Sequence, residues 1–274
     1  MVAAGKTLDK NKPFIVHSLH SYFIRPGNDN IPILYSVDRT RDGQSFCTRR
    51  VIAIQNGKTI FSMDVSFHVN EPGLSHQYKI INNLPSPDTL EDWNIVRNRY
   101  SNDTRFTKSF RQFVSTSPVQ MSIRKIIPSD LHEFLQPQRP YSLWYVKASH
   151  TLPNDYMSHC TALSYMSDAA FLETACLPHG TYWASATLHD DNKPVINAAS
   201  IDHAMWFHSY FRADQWLLYE CETPVASGGR GLVIGRFYTL EGKLVVSTMQ
   251  EAYFHINDWD TVKETEKHKN RAKL

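Results

Sequence analysis

Runs of β-branched and aromatic residues, separated by tight-turn signals, constrain this chain more than any other feature. In the first quarter of the sequence they cover residues 14–25, 33–41, 46–55 and 58–68. Asn56-Gly57 separates the last two runs, and Asn-Gly between two β-rich runs is the strongest short-range signal for a hairpin. The pattern therefore predicts an antiparallel meander of four strands.

One long helix is predicted in the second half, over residues 155–177. This segment contains neither Gly nor Pro, its apolar residues recur at helical spacing, and a Pro-His-Gly sequence follows it. The N-cap candidates are Asn154, Asp155 and Ser158. Some helix is also predicted within residues 90–113.

Further strands are predicted before and after the long helix. They cover residues 119–127, 141–150, 195–208, 216–223, 231–239 and 243–254. Strands grouped in this way, with one helix ahead of a set of antiparallel strands, indicate an α+β protein rather than an alternating α/β protein.

Two short matches suggest that the halves of the chain are related. Residues 57–62 (GKTIFS) are similar to residues 242–247 (GKLVVS), at an offset of 185 (242 − 57). Residues 18–20 (SLH) are similar to residues 200–202 (SID), at an offset of 182 (200 − 18). A duplicated domain explains both matches, but chance likeness between β-rich segments explains them equally well, so both interpretations stay open.

Composition narrows the class of protein. The chain has 274 residues, 42% hydrophobic and 20% charged, with a net charge of +2. Such a chain folds into a globular protein, and its balanced charge argues against nucleic acid as a partner. No apolar run is long enough for a membrane span, and no secretory signal is visible. Four widely spaced cysteines without a Cys-x-x-Cys motif predict reduced thiols; they are Cys47, Cys160, Cys176 and Cys221.

Metal and cofactor sites find little support in the sequence. His17 with His20, and His203 with His208, are candidate pairs of metal ligands. Their spacings do not place either pair on one strand face, so packed or surface histidines are favoured. The Gly-rich residues 227–231 precede a predicted strand rather than a helix, which favours a turn over a phosphate site. We therefore expect neither a metal nor a cofactor.

Four polar residues in apolar surroundings are candidate catalytic residues. A carboxylate such as Asp168 inside an apolar helix is unfavourable unless it is paired or functional, but a solvent-facing helix position accounts for it equally well. Ser200 and Asp202 lie two apart on one predicted strand and hence on one face. The Ser200 hydroxyl could instead be satisfied within the sheet, and Gln250 could be an exposed strand residue.

Five segments resemble the thioesterase II family of acyl-CoA thioesterases, and its peroxisomal branch in particular. They are residues 17–27 (HSLHSYFIRPG), 49–61 (RRVIAIQNGKTIF), 200–208 (SIDHAMWFH), 216–231 (WLLYECETPVASGGRG) and 247–254 (STMQEAYF). The resemblance implies a double hotdog fold, in which two tandem units each wrap an antiparallel sheet around a long helix. Because residues 1–5 resemble the tail of the first helix, we expect the first unit to be incomplete.

The resemblance also implies a catalytic set of Asp168, Ser200 and Gln250. These residues would hold a water that attacks the thioester of a fatty acyl-CoA. Backbone N–H groups near the start of the long helix would stabilise the oxyanion. At an offset of 185, Val65 occupies the position of Gln250 in the first unit, which then has no catalytic role. The alternatives are a non-catalytic acyl-CoA-binding protein, a form inactive without its first helix, and a hotdog hydratase.

The predicted domains are a first hotdog unit at residues 1–70, a partly helical connection at 71–118, a catalytic unit at 119–257 and a polar tail at 258–274. The tail ends in Ala272-Lys273-Leu274, which resembles the peroxisomal address Ser-Lys-Leu, although a random polar end is the alternative. We therefore expect a peroxisomal location and an import receptor as a partner. The sequence leaves open whether the protein forms a homo-oligomer.

Overall fold

The fold was examined in a computed structural model of the chain. It describes residues 1–78, 81, 83–106, 108, 111–112, 115, 121–126, 137–168, 171–179 and 196–256. The predicted tail, with Ala272, Lys273 and Leu274, lies outside these residues.

Strands account for most of the described secondary structure. Strands β1 to β11 span Phe14–Phe23, Leu34–Asp42, Phe46–Gln55, Lys58–Val69, Met121–Lys125, Tyr141–Ala148, Ile196–Ser200, Asp202–Phe207, Leu217–Ser227, Arg230–Thr239 and Leu244–Ile256. Helices α1 to α4 span Val2–Gly5, Trp93–Asn102, Tyr156–Asp168 and Glu173–Cys176, and single 3₁₀ turns cover Pro87–Thr89 and Leu177–His179.

The described strands form one antiparallel sheet that joins both halves of the chain. Its order is β2-β3-β4-β1-β8-β11-β10-β9-β6-β5, and β7 pairs with β11. The pair β1–β8, which we call the seam, connects the halves. On either side of the seam the order repeats in mirror fashion, since β2-β3-β4-β1 corresponds to β9-β10-β11-β8. This symmetry is the one expected of a duplicated chain, and it confirms the predicted α+β double hotdog architecture.

Two hairpin turns have the predicted backbone geometry. Asn56 and Gly57 between β3 and β4 have φ values of 50° and 71°. Gly228 and Gly229 between β9 and β10 have φ values of 59° and 73°. Positive φ at both central residues is characteristic of a type I′ turn. The backbone of this turn matches the right-handed twist of the two strands in a hairpin with a two-residue loop. The predictions of a hairpin at Asn56-Gly57 and of a turn within residues 227–231 are therefore confirmed.

Helix α3 packs its apolar side on the inner face of the sheet. Cys160, Leu163 and Met166 are buried in the same core as the sheet residues Met205 and Val246. The carboxylate of Asp155 accepts a hydrogen bond from the backbone N–H of Ser158 at 2.9 Å and so caps the first turn. The helix therefore begins where the sequence predicts.

The helix ends earlier than predicted, at Asp168 rather than near residue 177. Phe171 is buried and stacks on the ring of Tyr219, with an interplanar angle of 4°. The Tyr219 hydroxyl donates to the carbonyl oxygen of Ser167 at 2.7 Å, which satisfies one of the carbonyls that a helix end leaves without a partner. Tertiary contacts thus hold the chain on both sides of the helix end, and the short α4 begins at Glu173.

The strand predicted over residues 195–208 is two strands, β7 and β8, which both pair with β11, and from Ile201 onward the chain also pairs with β1. The N–H of Ile201 donates to the carbonyl of Glu251 on β11, whereas its carbonyl accepts from the N–H of Phe23 on β1, both at 2.9 Å. Ser200 pairs with the buried Ala252 and lies on the inner face. Asp202 precedes the inward-facing His203 and lies on the outer face. The prediction that Ser200 and Asp202 share a face is therefore wrong.

The four cysteines are buried and form no disulfide, in agreement with the predicted reduced thiols. Within the described residues, the helices are too short or too polar to cross a membrane. The predicted boundaries at residues 70, 118 and 257 stay predictions.

Gly235 on β10 offers a test of the packing beneath α3. A Cβ atom there would lie 2.6 Å from Thr248 Cγ2, 2.7 Å from Tyr219 Cε2 and 2.8 Å from Phe171 Cε2. We expect Gly235→Ala to lower the free energy of unfolding by about 1–3 kcal/mol through overpacking. Gly73, where a Cβ would meet no atom within 4 Å, supplies the control substitution Gly73→Ala. Urea denaturation measures both, and equal stability of the two variants would contradict the packing described.

Candidate active site

Three polar side chains from separate elements meet at one end of α3. They are Asp168, the last residue of α3, Ser200, the last residue of β7, and Gln250 on β11. The Gln250 Nε2 group donates to Asp168 Oδ1 at 2.7 Å and to Ser200 Oγ at 2.5 Å. The Ser200 hydroxyl also donates to Asp168 Oδ1, at 3.4 Å. The structure thus brings together the three residues that the resemblance singled out.

The surroundings of the three residues decide between the alternatives that the sequence left open. Gln250 is completely buried and lies on the inner face of β11 between Thr248 and Ala252, so it is not an exposed strand residue. The Asp168 residue is exposed, but its carboxylate is bonded to the other two side chains. A carboxylate open to solvent and tied to a buried amide is accessible to a bound molecule.

The amide oxygen of Gln250 is a second notable feature. Gln250 Oε1 is buried, and no described residue donates a hydrogen bond to it. Buried acceptors without partners are rare in native proteins, because each costs about 1–3 kcal/mol, and such exceptions call for a functional explanation. The cluster therefore combines a satisfied amide N–H₂ group with a buried amide oxygen that has no hydrogen-bond donor among the described residues.

Asp202 has a separate structural role. Its Oδ1 atom accepts a hydrogen bond from the backbone N–H of Glu251 at 2.7 Å, so the carboxylate bridges β8 and β11. The structure gives no hydrogen bond between Asp202 and the cluster of Asp168, Ser200 and Gln250 among the described residues. Of the two carboxylates considered from the sequence, Asp168 is the one that lies with Ser200 and Gln250.

His203 lies behind this cluster, and the sequence reasoning gave it no role. Its Nε2 atom is 2.8 Å from Thr248 Oγ1 and 3.2 Å from Ser167 Oγ. Burial lowers the pKa of His203, whereas the neighbouring carboxylates of Asp168 and Asp202 act in the opposite direction. The sequence offers one indication of this position. His203 lies two and four residues before Met205 and Phe207 on β8, so all three side chains are on the buried face.

The start of α3 is remote from this cluster. At 1.5 Å per residue, the first turn lies about 18 Å along the helix axis from Asp168. N–H groups of the first turn are therefore too far away to stabilise an oxyanion beside Asp168, Ser200 and Gln250. His159, near that start, accepts from the backbone N–H of Ala213 at 3.2 Å and lies nine residues from Asp168. The Asp–His pair of a hydratase is thus not formed by these two residues.

The first unit has no comparable polar cluster at the corresponding strand position. Val65 on β4 is completely buried in the core, opposite Arg49 of β3. Within the described residues, no group of three or more His, Cys, Asp or Glu side chains is arranged to hold a metal ion.

Comparisons with known proteins identify the relatives of the chain. The family described as "Acyl-CoA thioesterase" matches residues 138–253, and the one described as "Acyl-CoA thioesterase N-terminal domain" matches residues 1–68. Acyl-coenzyme A thioesterase 8 of Mus musculus is 39% identical over 93% of this chain and 77% of its own length.

Two further matches support the assignment. The crystal structure of acyl-CoA thioesterase II TesB2 from Mycobacterium marinum superposes with a TM-score of 0.71 at 36% identity, over 93% of this chain and 86% of that one. Peroxisomal acyl-coenzyme A thioester hydrolase 1 of Saccharomyces cerevisiae is 25% identical over 88% of this chain and 79% of its own length. The chain therefore belongs to the thioesterase II family of acyl-CoA thioesterases.

Proposed function

We propose that this thioesterase hydrolyses fatty acyl-CoA to a free fatty acid and CoA by direct attack of a water molecule on the thioester. Asp168, Ser200 and Gln250 hold that water. The observation that carries the proposal is the convergence of these three side chains, from three elements, at distances of 2.5 to 3.4 Å. A carboxylate, a hydroxyl and an amide together supply the acceptors and donors that orient one water molecule.

Asp168 is the general base of the proposed reaction. Its carboxylate takes a proton from the water while the water oxygen bonds to the thioester carbonyl carbon and the carbonyl electron pair moves to oxygen. The tetrahedral intermediate then collapses, the carbon–sulfur bond breaks, and the CoA thiolate takes the proton from Asp168. The products are the carboxylic acid and the CoA thiol, and no covalent enzyme intermediate forms.

Ser200 and Gln250 position the reacting groups. The Gln250 N–H₂ group holds the Asp168 carboxylate and the Ser200 hydroxyl in one orientation, and Gln250 Oε1 is available as an acceptor for the water. Holding a nucleophile in place removes much of the entropic barrier of a bimolecular step. A positioned base adds roughly 10²- to 10⁴-fold. These contributions require neither a metal nor a cofactor.

Exchange of the base tests the proposal. We expect Asp168→Asn to lower kcat on a long-chain acyl-CoA about 100-fold or more while KM changes less than about threefold, because asparagine keeps the shape but is not a base. Asp202→Asn is the matched control: it alters the β8–β11 bridge and should reduce stability while kcat per folded molecule is retained. Steady-state release of CoA, followed with a thiol reagent, measures both.

Three outcomes would count against this function. If Asp202→Asn abolishes turnover in folded protein and Asp168→Asn does not, the base is misassigned. If the unmodified chain binds acyl-CoA without releasing CoA, it is a binding protein or an inactive form. If it hydrates an unsaturated acyl-CoA instead, it is a hydratase.

We further propose a peroxisomal location, with an import receptor that binds Ala272, Lys273 and Leu274. Two observations support it. The tripeptide resembles the Ser-Lys-Leu address, and a relative in yeast is a peroxisomal thioester hydrolase by name. Receptor-read addresses of this kind act at the end of a polar segment, and residues 258–274 are rich in charged side chains.

Removal of the tripeptide tests the location. In cells, a fluorescent protein fused ahead of residue 1 of a chain that ends at Leu274 should collect in peroxisomes. Deletion of residues 272–274 should leave it in the cytosol with unchanged thioesterase activity. Deletion of residues 263–265 shortens the tail equally but keeps the address, and it should not alter import. Import that survives the loss of residues 272–274 would refute the address.

A further inference from the structure

The imidazole of His203 bridges the two elements that carry the proposed base and amide. Its Nε2 atom lies 3.2 Å from the hydroxyl of Ser167 on α3 and 2.8 Å from the hydroxyl of Thr248 on β11. Ser167 directly precedes Asp168, and Thr248 lies two residues before Gln250 on the same face of its strand. One nitrogen atom thus contacts a side chain of each element next to the site.

The two hydroxyls that contact His203 each have a carbonyl acceptor within reach. The Ser167 hydroxyl oxygen lies 2.9 Å from the carbonyl of Ser164, and the Thr248 hydroxyl oxygen lies 3.1 Å from the carbonyl of Ala204. A hydroxyl has one hydrogen and two acceptor lone pairs, so an N–H on Nε2 of His203 would let both hydroxyls keep these carbonyl partners and accept from the imidazole. This tautomer shares a single N–H between two acceptors, and we adopt it for His203.

The surroundings of His203 hold this arrangement rigid. The ring is buried and stacks on Phe171, with ring centroids 6.5 Å apart. Phe171 in turn stacks on Tyr219, whose hydroxyl donates to the carbonyl of Ser167. The last turn of α3 is consequently held at two points, the Ser167 hydroxyl and the Ser167 carbonyl. Little freedom is left for Asp168 to move relative to β11.

We infer that His203 is a positioning residue for the thioester hydrolysis proposed above, on which this inference rests. Its shared Nε2–H ties the end of α3 to β11 and so sets the separation between Asp168 and Gln250. His203 does not touch the reacting atoms, and its effect is exerted through Ser167 and Thr248. Loss of the N–H should therefore displace the base from the amide without altering how the substrate binds.

Two substitutions distinguish the effect of the N–H group from the effect of the volume of the ring. His203→Leu removes the donor, and we expect kcat to fall about 10- to 100-fold with KM changed less than about threefold, because misplacement of a catalytic group acts on kcat. His203→Gln places a carboxamide N–H₂ group near the position of Nε2, and kcat should recover to within about threefold of the unmodified enzyme. Activities are normalised to folded protein by circular dichroism.

His159 supplies a matched control. Like His203 it is a buried histidine, but it belongs to α3, accepts from a backbone N–H and lies nine residues from Asp168. His159→Leu should lower the melting temperature and leave kcat per folded molecule unchanged. An equal loss of kcat in His159→Leu, or a folded His203→Gln that is no better than His203→Leu, would overturn the positioning role.

Crystal structures of the two His203 variants give a readout that does not depend on activity. We expect the contact between Gln250 Nε2 and Asp168 Oδ1 to be lost in His203→Leu and kept in His203→Gln. An intact contact in His203→Leu overturns the inference even if the chain has no thioesterase activity. Conversely, if Asp168→Asn abolishes turnover while His203→Leu retains it, the proposed function stands and the role of His203 does not.

Discussion

The two backbone hydrogen bonds of Ile201 are the constraint on which the rest of the structure depends. The N–H of this residue pairs with β11 and its carbonyl pairs with β1, so the pairing with β1 starts here while the pairing with β11 resumes beyond it. The added pairing with β1 places β8 between the two halves and creates the seam. It also turns Ser200 inward and Asp202 outward, which decides which of the two side chains lies beside Asp168.

The region behind the three polar residues is built in layers that support one another. Gly235 leaves room for Thr248, Tyr219 and Phe171, whose side chains crowd against it. The Tyr219 hydroxyl donates to the last turn of α3, and the hydroxyls of Thr248 and Ser167 contact Nε2 of His203. The polar cluster at the surface therefore rests on an aromatic and hydroxyl-rich layer with little freedom. Precise placement of a base requires such support from a second layer of residues.

The sequence predicted the parts of the fold that local patterns control. The strands of the first half and the turn at Asn56-Gly57 follow from alternation and turn chemistry, so their bounds agree with prediction to within about two residues. The end of α3 was missed because it depends on Phe171 meeting Tyr219, a contact between residues far apart in the chain. The break at Ile201 was missed for the same reason, since both sides of it are continuous β-rich sequence.

The site was predictable only in part. Asp168, Ser200 and Gln250 were selected through a family resemblance. The local sequence around each residue is equally compatible with a side chain that faces solvent or forms its hydrogen bonds within the sheet. His203 was left without a role because a lone histidine in a strand is more often a packing residue. Its contacts are with two hydroxyls that lie 36 and 45 residues away in the sequence. Such long-range contacts leave no trace in local periodicity.

Val65 and Gln250 occupy equivalent positions in the two halves of the chain, and a duplicated fold allows such positions to carry different side chains. An amide at this completely buried place in the first half would have polar atoms to satisfy, whereas valine has none. This position of the first half therefore adds no polar group that folding must satisfy. The second half buries the Gln250 amide at the equivalent position, where no described residue donates to its oxygen, so two copies of one architecture differ in what the same position costs to fold.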